Sequence, residues 1–289
     1  MGLNVADLID ALYAKAYVFP PDECGMYLVS YDDDALCEEH RVKSENINQQ
    51  FISMDAPESS PAAYLCDENI VRNTVFTLPS STYSFPRRWL ENSPPSSSLS
   101  SAGSIVWTRM TLIRYNRIGG CIESSDCHDI FFQDPSGQLQ SVTSAGETFF
   151  ESLPPIPFTS KLGSPIYAAY RNNVLYISYL DPGNHMHCLT RTANGSDWRS
   201  RPNIRIDTEV PGAAFGDAEI ANFMSLFDEN DSVQIMAVPT KGLVFMVNPY
   251  GTLAHLGTVT NGQYKPASGA ENIYQLAAKI HGTFKPKDK

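Results

Sequence analysis

The most constraining feature of this sequence is a strand-rich segment that is present twice. Residues 163–188 alternate apolar and polar side chains and are interrupted by two turn signals, Asn172-Asn173 and Asp181-Pro182-Gly183-Asn184. Residues 128–140 have the same order of strand, turn and strand, and Asp134-Pro135 precedes Asp181-Pro182 by 47 residues. Repeats of this length that consist only of strands are typical of a β-propeller, in which small sheets surround a central channel.

The repeat length also predicts the number of blades. The 289 residues contain the 47-residue offset about six times, so we predict one all-β domain, residues 1–289, with six blades preferred over five. Weaker copies of the strand-turn-strand pattern lie at 27–37, 63–70 and 232–245, at irregular spacing. A β-sandwich is the alternative, because it also has short strands at intervals of about 8–12 residues.

Two segments depart from the strand pattern. In the N-terminal segment, residues 1–20, a short helix is predicted over residues 4–16, because apolar residues recur there at helical spacing. The residues of this apolar face are Val5, Leu8, Ile9, Leu12 and Tyr13. We expect the helix to pack on one face of the propeller, to plug the channel mouth or to lie beside one blade. Residues 93–103, rich in Ser and Pro, are predicted to form a flexible loop.

Composition narrows the range of partners. The net charge is −11 with a sequence pI of about 4.9, and Lys and Arg are scattered along the chain, so we expect no binding of nucleic acid. No apolar run approaches the roughly 20 residues of a transmembrane helix, and no signal-peptide pattern opens the sequence. The sequence leaves open whether the molecule is a monomer or a homodimer.

Cysteine count and sequons favour an oxidising compartment. The six cysteines include Cys121 and Cys127, which flank a short polar loop and are predicted to form a disulfide. Asn194-Gly-Ser196 and Asn230-Asp-Ser232 are glycosylation sequons in turn-like segments. Together these features predict a secretory or extracellular glycoprotein.

Part of the chain resembles a known family. Ser164-Pro-Ile-Tyr-Ala-Ala169, Tyr179-Leu-Asp-Pro182, Phe131-Phe-Gln-Asp134 and Trp198 together resemble the fungal fucose-specific lectins over about residues 104–200. The resemblance implies a six-bladed propeller that binds sugars between blades. In that family an Arg on the second strand of a blade and a Glu on the third bind the sugar hydroxyls, and aromatic rings stack on its apolar face.

This chain departs from the lectin pattern at the sugar-binding positions. Asp129 and Tyr176 stand where the family has Arg, and Ser141 and Cys188 stand where it has Glu. Sugar recognition requires charged donors and acceptors that replace lost hydration, and these four residues do not supply the set. The sequence therefore resembles a lectin scaffold whose sugar sites have been lost.

Degenerate relatives of these lectins include, as the resemblance implies, the hetero-Diels–Alderases of tropolonic sesquiterpene biosynthesis. These enzymes join a tropolone quinone methide to a humulene-type polyene in fungal secondary metabolism. Such a cycloaddition needs no nucleophile, metal or cofactor; it needs a dry pocket that holds two apolar partners and donates hydrogen bonds to a carbonyl. The lead hypothesis is a cofactor-independent pericyclase acting on small apolar substrates. The alternatives are a divergent carbohydrate-binding lectin and an interaction scaffold.

Candidate site residues follow from the aromatic residues and the few cations near them. Arg109 and Tyr176 are predicted to be catalytic, as donors to the carbonyl of the heterodiene. Further side chains are predicted to contact the substrate: Trp107, Arg114, Tyr115, Tyr167, Tyr170, Tyr179 and His187. We expect no metal site, because His185 and His187 share a strand face but the sequence shows no carboxylate placed to complete the ligand set. Packing in the core or between strands is the alternative role for each tyrosine.

Overall fold

The chain forms one short helix followed by β-strands. The structure, a computed structural model, describes residues 5–18, 25–42, 45–53, 58, 61–66, 72–76, 86–87, 90–91, 106–107, 118–124, 127–145, 150–192, 195, 197–200, 220–227, 233–239, 242–247, 253–261 and 263–267. Within these residues the strands form six separate sheets, each with antiparallel neighbours. In every sheet of four or five strands, strands adjacent in sequence are adjacent in space, as in the blades of a propeller.

The first half of the chain contains a four-stranded sheet, a three-stranded sheet and a two-stranded ladder. Sheet 1 has the order β1-β2-β3-β4, with β1 (Ala16–Val18), β2 (Met26–Asp32), β3 (Ala35–Val42) and β4 (Glu45–Ser53). Sheet 2 consists of β5 (Ala62–Cys66), β6 (Arg72–Phe76) and β8 (Leu90–Glu91). A two-stranded ladder pairs β7 (Pro86–Arg87) with β9 (Val106–Trp107).

The second half contains three sheets. Sheet 3 consists of β10 (Gly119–Ser124), β11 (Cys127–Gln133), β12 (Leu139–Ala145) and β13 (Phe150–Ser152). Sheet 4 consists of β14 (Tyr167–Arg171), β15 (Val174–Leu180), β16 (Met186–Thr192) and β17 (Arg199–Ser200). Sheet 5 consists of β18 (Ile220–Phe227), β19 (Val233–Pro239), β20 (Leu243–Val247), β21 (Leu253–Thr260) and β22 (Gln263–Pro266).

The first strands of the sheets meet in sequence order. Strand β1 lies against β5, β5 lies against β10, and β10 lies against β14. Sheets 4 and 5 share an apolar cluster and a hydrogen bond of 2.9 Å between the hydroxyls of Ser178 and Ser225. Successive sheets therefore pack face to face, and the core is divided among the spaces between them.

The helix α1 (Val5–Tyr13) packs between the last sheet and the first. Leu8 and Leu12 share a buried cluster with Met26 and Leu28 of sheet 1 and with Met224 of sheet 5, among others. The helix is shorter than the predicted 4–16, because Ala16 begins strand β1. Tyr13, predicted on the apolar face, is 57% exposed. The helix thus contacts two blades, where the sequence left open a channel plug or packing beside a single blade.

Candidate functional site

A cluster of charged and aromatic side chains lies in the cleft between sheets 3 and 4. Asp129 on β11 is opposite Cys121 on β10 and Thr143 on β12, and opposed residues in antiparallel strands project to the same face. That face packs against sheet 4, where Arg191 on β16 is opposite Leu175. The cleft therefore receives side chains from two sheets.

Arg191 connects the two blades. Its Nη2 donates a hydrogen bond of 3.1 Å to Oδ2 of Asp129, which is only 1% exposed, while the Arg191 side chain is 13% exposed. The guanidinium lies 5.1 Å from the centre of the Trp198 ring, and Trp198 in turn meets Phe131 edge to face with ring centroids 6.2 Å apart. We call Asp129, Phe131, Arg191 and Trp198 the inter-blade cluster.

The inter-blade cluster contains two opposite charges that are largely shielded from solvent. Removing two ions from water is unfavourable, and their attraction offsets this only when they remain bonded to each other. A planar guanidinium also packs favourably on an aromatic face, so Trp198 covers the cation where water would otherwise lie. The arrangement bridges sheets 3 and 4, and its side chains occupy the cleft between them.

The other face of sheet 4 packs against sheet 5 mainly through apolar side chains. Tyr176 and Cys188, at the two positions where the lectin family has Arg and Glu, are 5% and 1% exposed. They belong to one buried cluster with Ile220 and Phe223 of sheet 5. The space between sheets 4 and 5 at this cluster is therefore closed by hydrophobic packing.

The structure does not bring the four predicted tyrosines of sheet 4 into one site. Tyr167 and Tyr176 project toward sheet 5, whereas Tyr170 and Tyr179 project toward sheet 3. The physical reason is the period of two along a strand, since residues three apart point to opposite faces. Tyr179 is 1% exposed and is part of the core, as the packing alternative predicted.

His187 belongs to a second polar cluster, at the turn between β15 and β16. Its Nε2 lies 2.8 Å from Oδ2 of Asp181, and Nδ1 of His185 lies 3.2 Å from the same oxygen. Burial alone would raise the pKa of Asp181, but hydrogen bonds from the His185 backbone and from both rings outweigh it and lower the pKa. Asp181 is thus the carboxylate beside the two histidines that the sequence analysis did not identify. Among the described residues, no group of three or more His, Cys, Asp or Glu side chains is arranged to hold a metal ion.

Tyr179 stacks on His187 with ring centroids 5.3 Å apart. Burial, and to a smaller extent the charge of Asp181, raises the pKa of Tyr179 to about 12. Tyr179 is therefore a neutral phenol at any physiological pH, and it supports the position of the His187 ring.

An aromatic pair that the sequence analysis missed lies where the first strands converge. Tyr17 on β1 and Tyr167 on β14 have nearly parallel rings, with an interplanar angle of 15° and centroids 6.2 Å apart. Tyr17 also packs against the buried cluster of the helix, and Tyr167 packs against the apolar cluster between sheets 4 and 5, so the pair links these two clusters. Burial, together with the nearby Tyr167 hydroxyl, raises the pKa of Tyr17 well above that of an exposed tyrosine. In the sequence, only the apolar character of Ala16–Val18 could have indicated that Tyr17 lies in the interior.

Several predicted residues lie outside the part of the chain that the structure describes. Trp107 is in β9, opposite Pro86, but its side chain is not described. The other predicted residues and segments outside the described part are Arg109, Arg114, Tyr115, Asn194, Asn230 and residues 93–103. Their proposed roles stay predictions.

The predicted disulfide between Cys121 and Cys127 is not present. Cys121 is opposite Asp129 and Cys127 is opposite Ser124, so the two cysteines are offset by two residues along the β10–β11 pair. This offset places their Cα atoms about 8 Å apart, beyond the roughly 7 Å that a disulfide spans. Both side chains are thiols, and Sγ of Cys127 lies 3.3 Å from Oγ1 of Thr143.

The fold is similar to that of fungal lectins of known structure. AofleA from Arthrobotrys oligospora gives a TM-score of 0.62 at 10% identity, covering 86% of this chain and 73% of AofleA. The lectin of Aleuria aurantia, described as a six-bladed β-propeller with a novel fucose recognition mode, gives 0.56 at 12% identity, covering 88% and 80%. SapL1 lectin in complex with α-methyl fucoside gives 0.51 at 10% identity, covering 84% and 77%. No family model and no curated protein matches the chain.

These similarities define the class of fold. The predicted all-β propeller with one short N-terminal helix is confirmed, and its solved counterparts are fucose-lectin-like six-bladed propellers. In the described residues no helix has the length and apolar character needed to cross a membrane. Identities of 10–12% establish the fold and leave the ligand to be determined from the site.

Proposed function

We propose that this protein is a propeller that has replaced sugar binding with the binding of small apolar molecules. The observation that carries the proposal is the burial of the four residues that align with the sugar-binding residues of the lectins. Asp129 and Ser141 are 1% and 3% exposed, Asp129 is bonded to Arg191, and Tyr176 and Cys188 are packed in an apolar cluster. None of the four presents a charged donor or acceptor to solvent, which a sugar hydroxyl requires.

The activity that fits such a scaffold is cofactor-independent cycloaddition. A hetero-Diels–Alderase that joins a tropolone quinone methide to a humulene-type polyene forms one C–C and one C–O bond and releases nothing. The protein therefore supplies only position, a dry surface and a hydrogen bond to the carbonyl oxygen of the heterodiene. Tyr17 and Tyr167 combine apolar rings with phenolic hydroxyls in the interior, which supports Tyr167 as a residue that contacts substrate. Arg109, Trp107, Arg114 and Tyr115 remain proposed contributors from residues 105–116.

The test compares two ligand classes on the same protein. We expect a tropolone or humulene-type ligand to bind with a Kd in the micromolar range, about −8 kcal/mol, and α-methyl fucoside to show no saturable binding. Product formation from the two reactants should survive a chelator, because positioning and hydrogen bonds supply the rate.

Two variants localise the reaction. Tyr167→Phe removes one hydroxyl and should change the ratio of stereoisomeric products while leaving the fold intact. Tyr13→Phe, which alters an exposed tyrosine on the helix, is the matched control. If neither variant changes the ratio, the reaction does not take place beside Tyr167; if no cycloadduct forms faster than in buffer, the proposed activity is wrong.

Carbohydrate binding is the second candidate, and the inter-blade cluster favours it. Arg191, Asp129 and Trp198 are the residue types that sugar sites use, and they meet between two blades, although from different strands than in the lectin family. Saturable binding of α-methyl fucoside by the unmodified protein would establish this function and exclude the first.

The two glycosylation sequons support one subsidiary proposal. Passage through the secretory pathway is proposed from the sequons at Asn194 and Asn230, and glycan mass on either Asn after expression in a secreting fungal host would support it. Unmodified Asn at both positions in that host would contradict it.

A further inference from the structure

The helix α1 fills an apolar groove between sheets 5 and 1. It contacts β18 on one side and β1 on the other. It inserts Leu8, Ile9 and Leu12 into the groove, each no more than 3% exposed. The groove is lined by apolar side chains of β2, β18, β20 and β21: Met26, Leu28, Met224, Val244, Met246 and Leu256. Three of the eight methionines of the chain are among them. Because methionine side chains repack easily around different shapes, the lining is adaptable.

Two polar contacts also join the helix to the sheets. The side-chain amide of Asn222 on β18 donates a hydrogen bond to the carbonyl oxygen of Leu12. Arg41 on β3 forms an ion pair of 2.7 Å with Asp10, and solvent weakens this pair because its side chains are 27% and 39% exposed. The helix has nine residues, and isolated helices of this length are marginal in water. Its helical shape therefore depends on the groove.

Negative charge opposes the docking of the helix. Asp7 of the helix is 1% exposed and Glu39 of β3 is 8% exposed. Burial raises the pKa of Asp10 more than Arg41 lowers it, and the charges of Asp7 and Glu39 raise this pKa further. Three carboxylates thus act on one another beside one guanidinium. Because the pKa of Asp10 is raised, the docked helix is disfavoured at pH values where Asp10 is ionised, and this cost disappears at low pH, where Asp10 is protonated.

We propose that this groove is a binding site for a flexible hydrocarbon of about fifteen carbons, which takes the place of α1. Leu8, Ile9 and Leu12 together insert about twelve side-chain carbons, so such a ligand buries a similar apolar area. Two effects favour the exchange: the released segment regains conformational entropy, and its carboxylates move away from Glu39. The choice of ligand rests on the proposed function, because humulene-type polyenes are hydrocarbons of this size.

The groove adjoins the aromatic pair where the proposed function places a substrate. Tyr17 packs against the same apolar cluster as the helix, and its ring stacks on that of Tyr167. A polyene that occupies the groove therefore lies next to a tropolone held at the two rings. The two partners of a cycloaddition then have separate, neighbouring places, which is what a reaction controlled by positioning requires.

Two variants at one partly exposed position test the displacement. Asp10→Gly and Asp10→Ala remove the same ion pair, and residue 10 is not part of the apolar cluster. Glycine weakens a helix relative to alanine, and a ligand that needs the helix released binds in proportion to the released fraction. α-Humulene should therefore bind Asp10→Gly about fivefold more tightly than Asp10→Ala, as measured by isothermal titration calorimetry. Equal dissociation constants for the two variants would overturn the proposal.

Hydrogen exchange of the unmodified protein provides a second test that needs no variant. Saturating α-humulene should speed the exchange of the backbone amides of α1, while the amides of β2 and β18 stay protected. α-Methyl fucoside, added as a control, should leave the exchange of the helix unchanged. Unchanged or slower exchange in α1 with α-humulene would place the ligand elsewhere, and the absence of saturable binding would remove the site altogether.

The failure of this site and the failure of the proposed function give different results. Cycloadduct formation while the amides of α1 remain protected would support the reaction and overturn the groove as the place of the polyene. Release of the helix by α-humulene, without cycloadduct formation above the rate in buffer, would support the groove as an apolar site and contradict the proposed cycloaddition.

Discussion

The salt bridge between Asp129 and Arg191 gives the sharpest prediction about this fold. The two residues lie on different blades, 62 positions apart in sequence, and their side chains are 1% and 13% exposed. Replacing Arg191 with Leu removes the guanidinium that bonds the buried Asp129 carboxylate. Replacing both residues with Leu removes both charges and retains side chains that can pack against Phe131 and Trp198.

The single replacement should therefore destabilise the protein more than the double replacement does. Breaking a buried ion pair on one side costs about 3–5 kcal/mol, whereas exchanging the whole pair for apolar residues is close to neutral. We expect Arg191→Leu to lower the free energy of unfolding by about 3 kcal/mol, the lower bound because Arg191 keeps some contact with water. The double variant should lie within about 1 kcal/mol of the parent.

Chemical denaturation followed by tryptophan fluorescence measures this difference, since Trp198 lies 5.1 Å from the Arg191 guanidinium and reports on the cleft. Arg199→Leu, which changes an exposed arginine on β17, is the control and should shift stability by no more than about 0.5 kcal/mol. If Arg191→Leu costs no more than Arg199→Leu, the pair does not hold the blades together. If the double variant is as unstable as the single one, the cost arises from lost packing on Trp198 and not from breaking the Asp129–Arg191 pair.

Three further predictions concern other polar contacts. Because burial raises the pKa of Tyr179 from 10.0 to about 12, its stabilising contribution should be complete below pH 10 and lost between pH 10 and 12, and Tyr179→Phe should lack this loss in alkaline unfolding curves. The pKa of Asp181 is lowered, so its contribution should be present above pH 3.8 and lost as the pH falls further; Asp181→Asn should flatten that part of the acid unfolding curve. Arg41 bonds Asp10 of the helix and Glu39 of β3, both at 2.7 Å, and Arg41→Leu should cost about 1–2 kcal/mol, with early loss of amide protection in the helix by hydrogen exchange.

The fold could be predicted because its repeat is marked by specific residue types at the turns. Asp134 and Asp181, the residues that defined the 47-residue offset, have the same role in sheets 3 and 4. Oδ1 of Asp134 accepts hydrogen bonds from the backbone N–H groups of Ser136 and Gln138, and Oδ1 of Asp181 accepts one from the N–H of His185. Local hydrogen bonds of this kind specify the residue type at a turn, so they leave a signal in the sequence.

The site was harder to predict because its contacts join distant segments. Asp129 was recognised only as a departure from the lectin pattern, and nothing near it in sequence indicates that Arg191 is its partner. Tyr176 and Tyr179 face different sheets, and strand periodicity alone could have separated them in the sequence. The Cys121–Cys127 pairing failed because a short separation in sequence does not fix the register of two strands.

The two clefts beside sheet 4 are closed in two different ways, and this bears on where a ligand can bind. Between sheets 3 and 4 the closure is an ion pair, and between sheets 4 and 5 it is apolar packing around Tyr176. Opening the first cleft separates a buried pair of charges, while opening the second exposes apolar area to water, so each is opposed by a different force. A sugar could offset the first cost only by bonding Asp129 and Arg191 itself, and it has no means to offset the second. An apolar ligand bound beside the Tyr17–Tyr167 pair offsets the second cost with its own apolar area, because Tyr167 packs against the Tyr176 cluster. The ion pair in one cleft and the apolar packing in the other thus support the proposed replacement of sugar binding by apolar binding. The Arg191 variants test the closure of the first cleft, and the fucoside titration tests whether sugar binding has been lost.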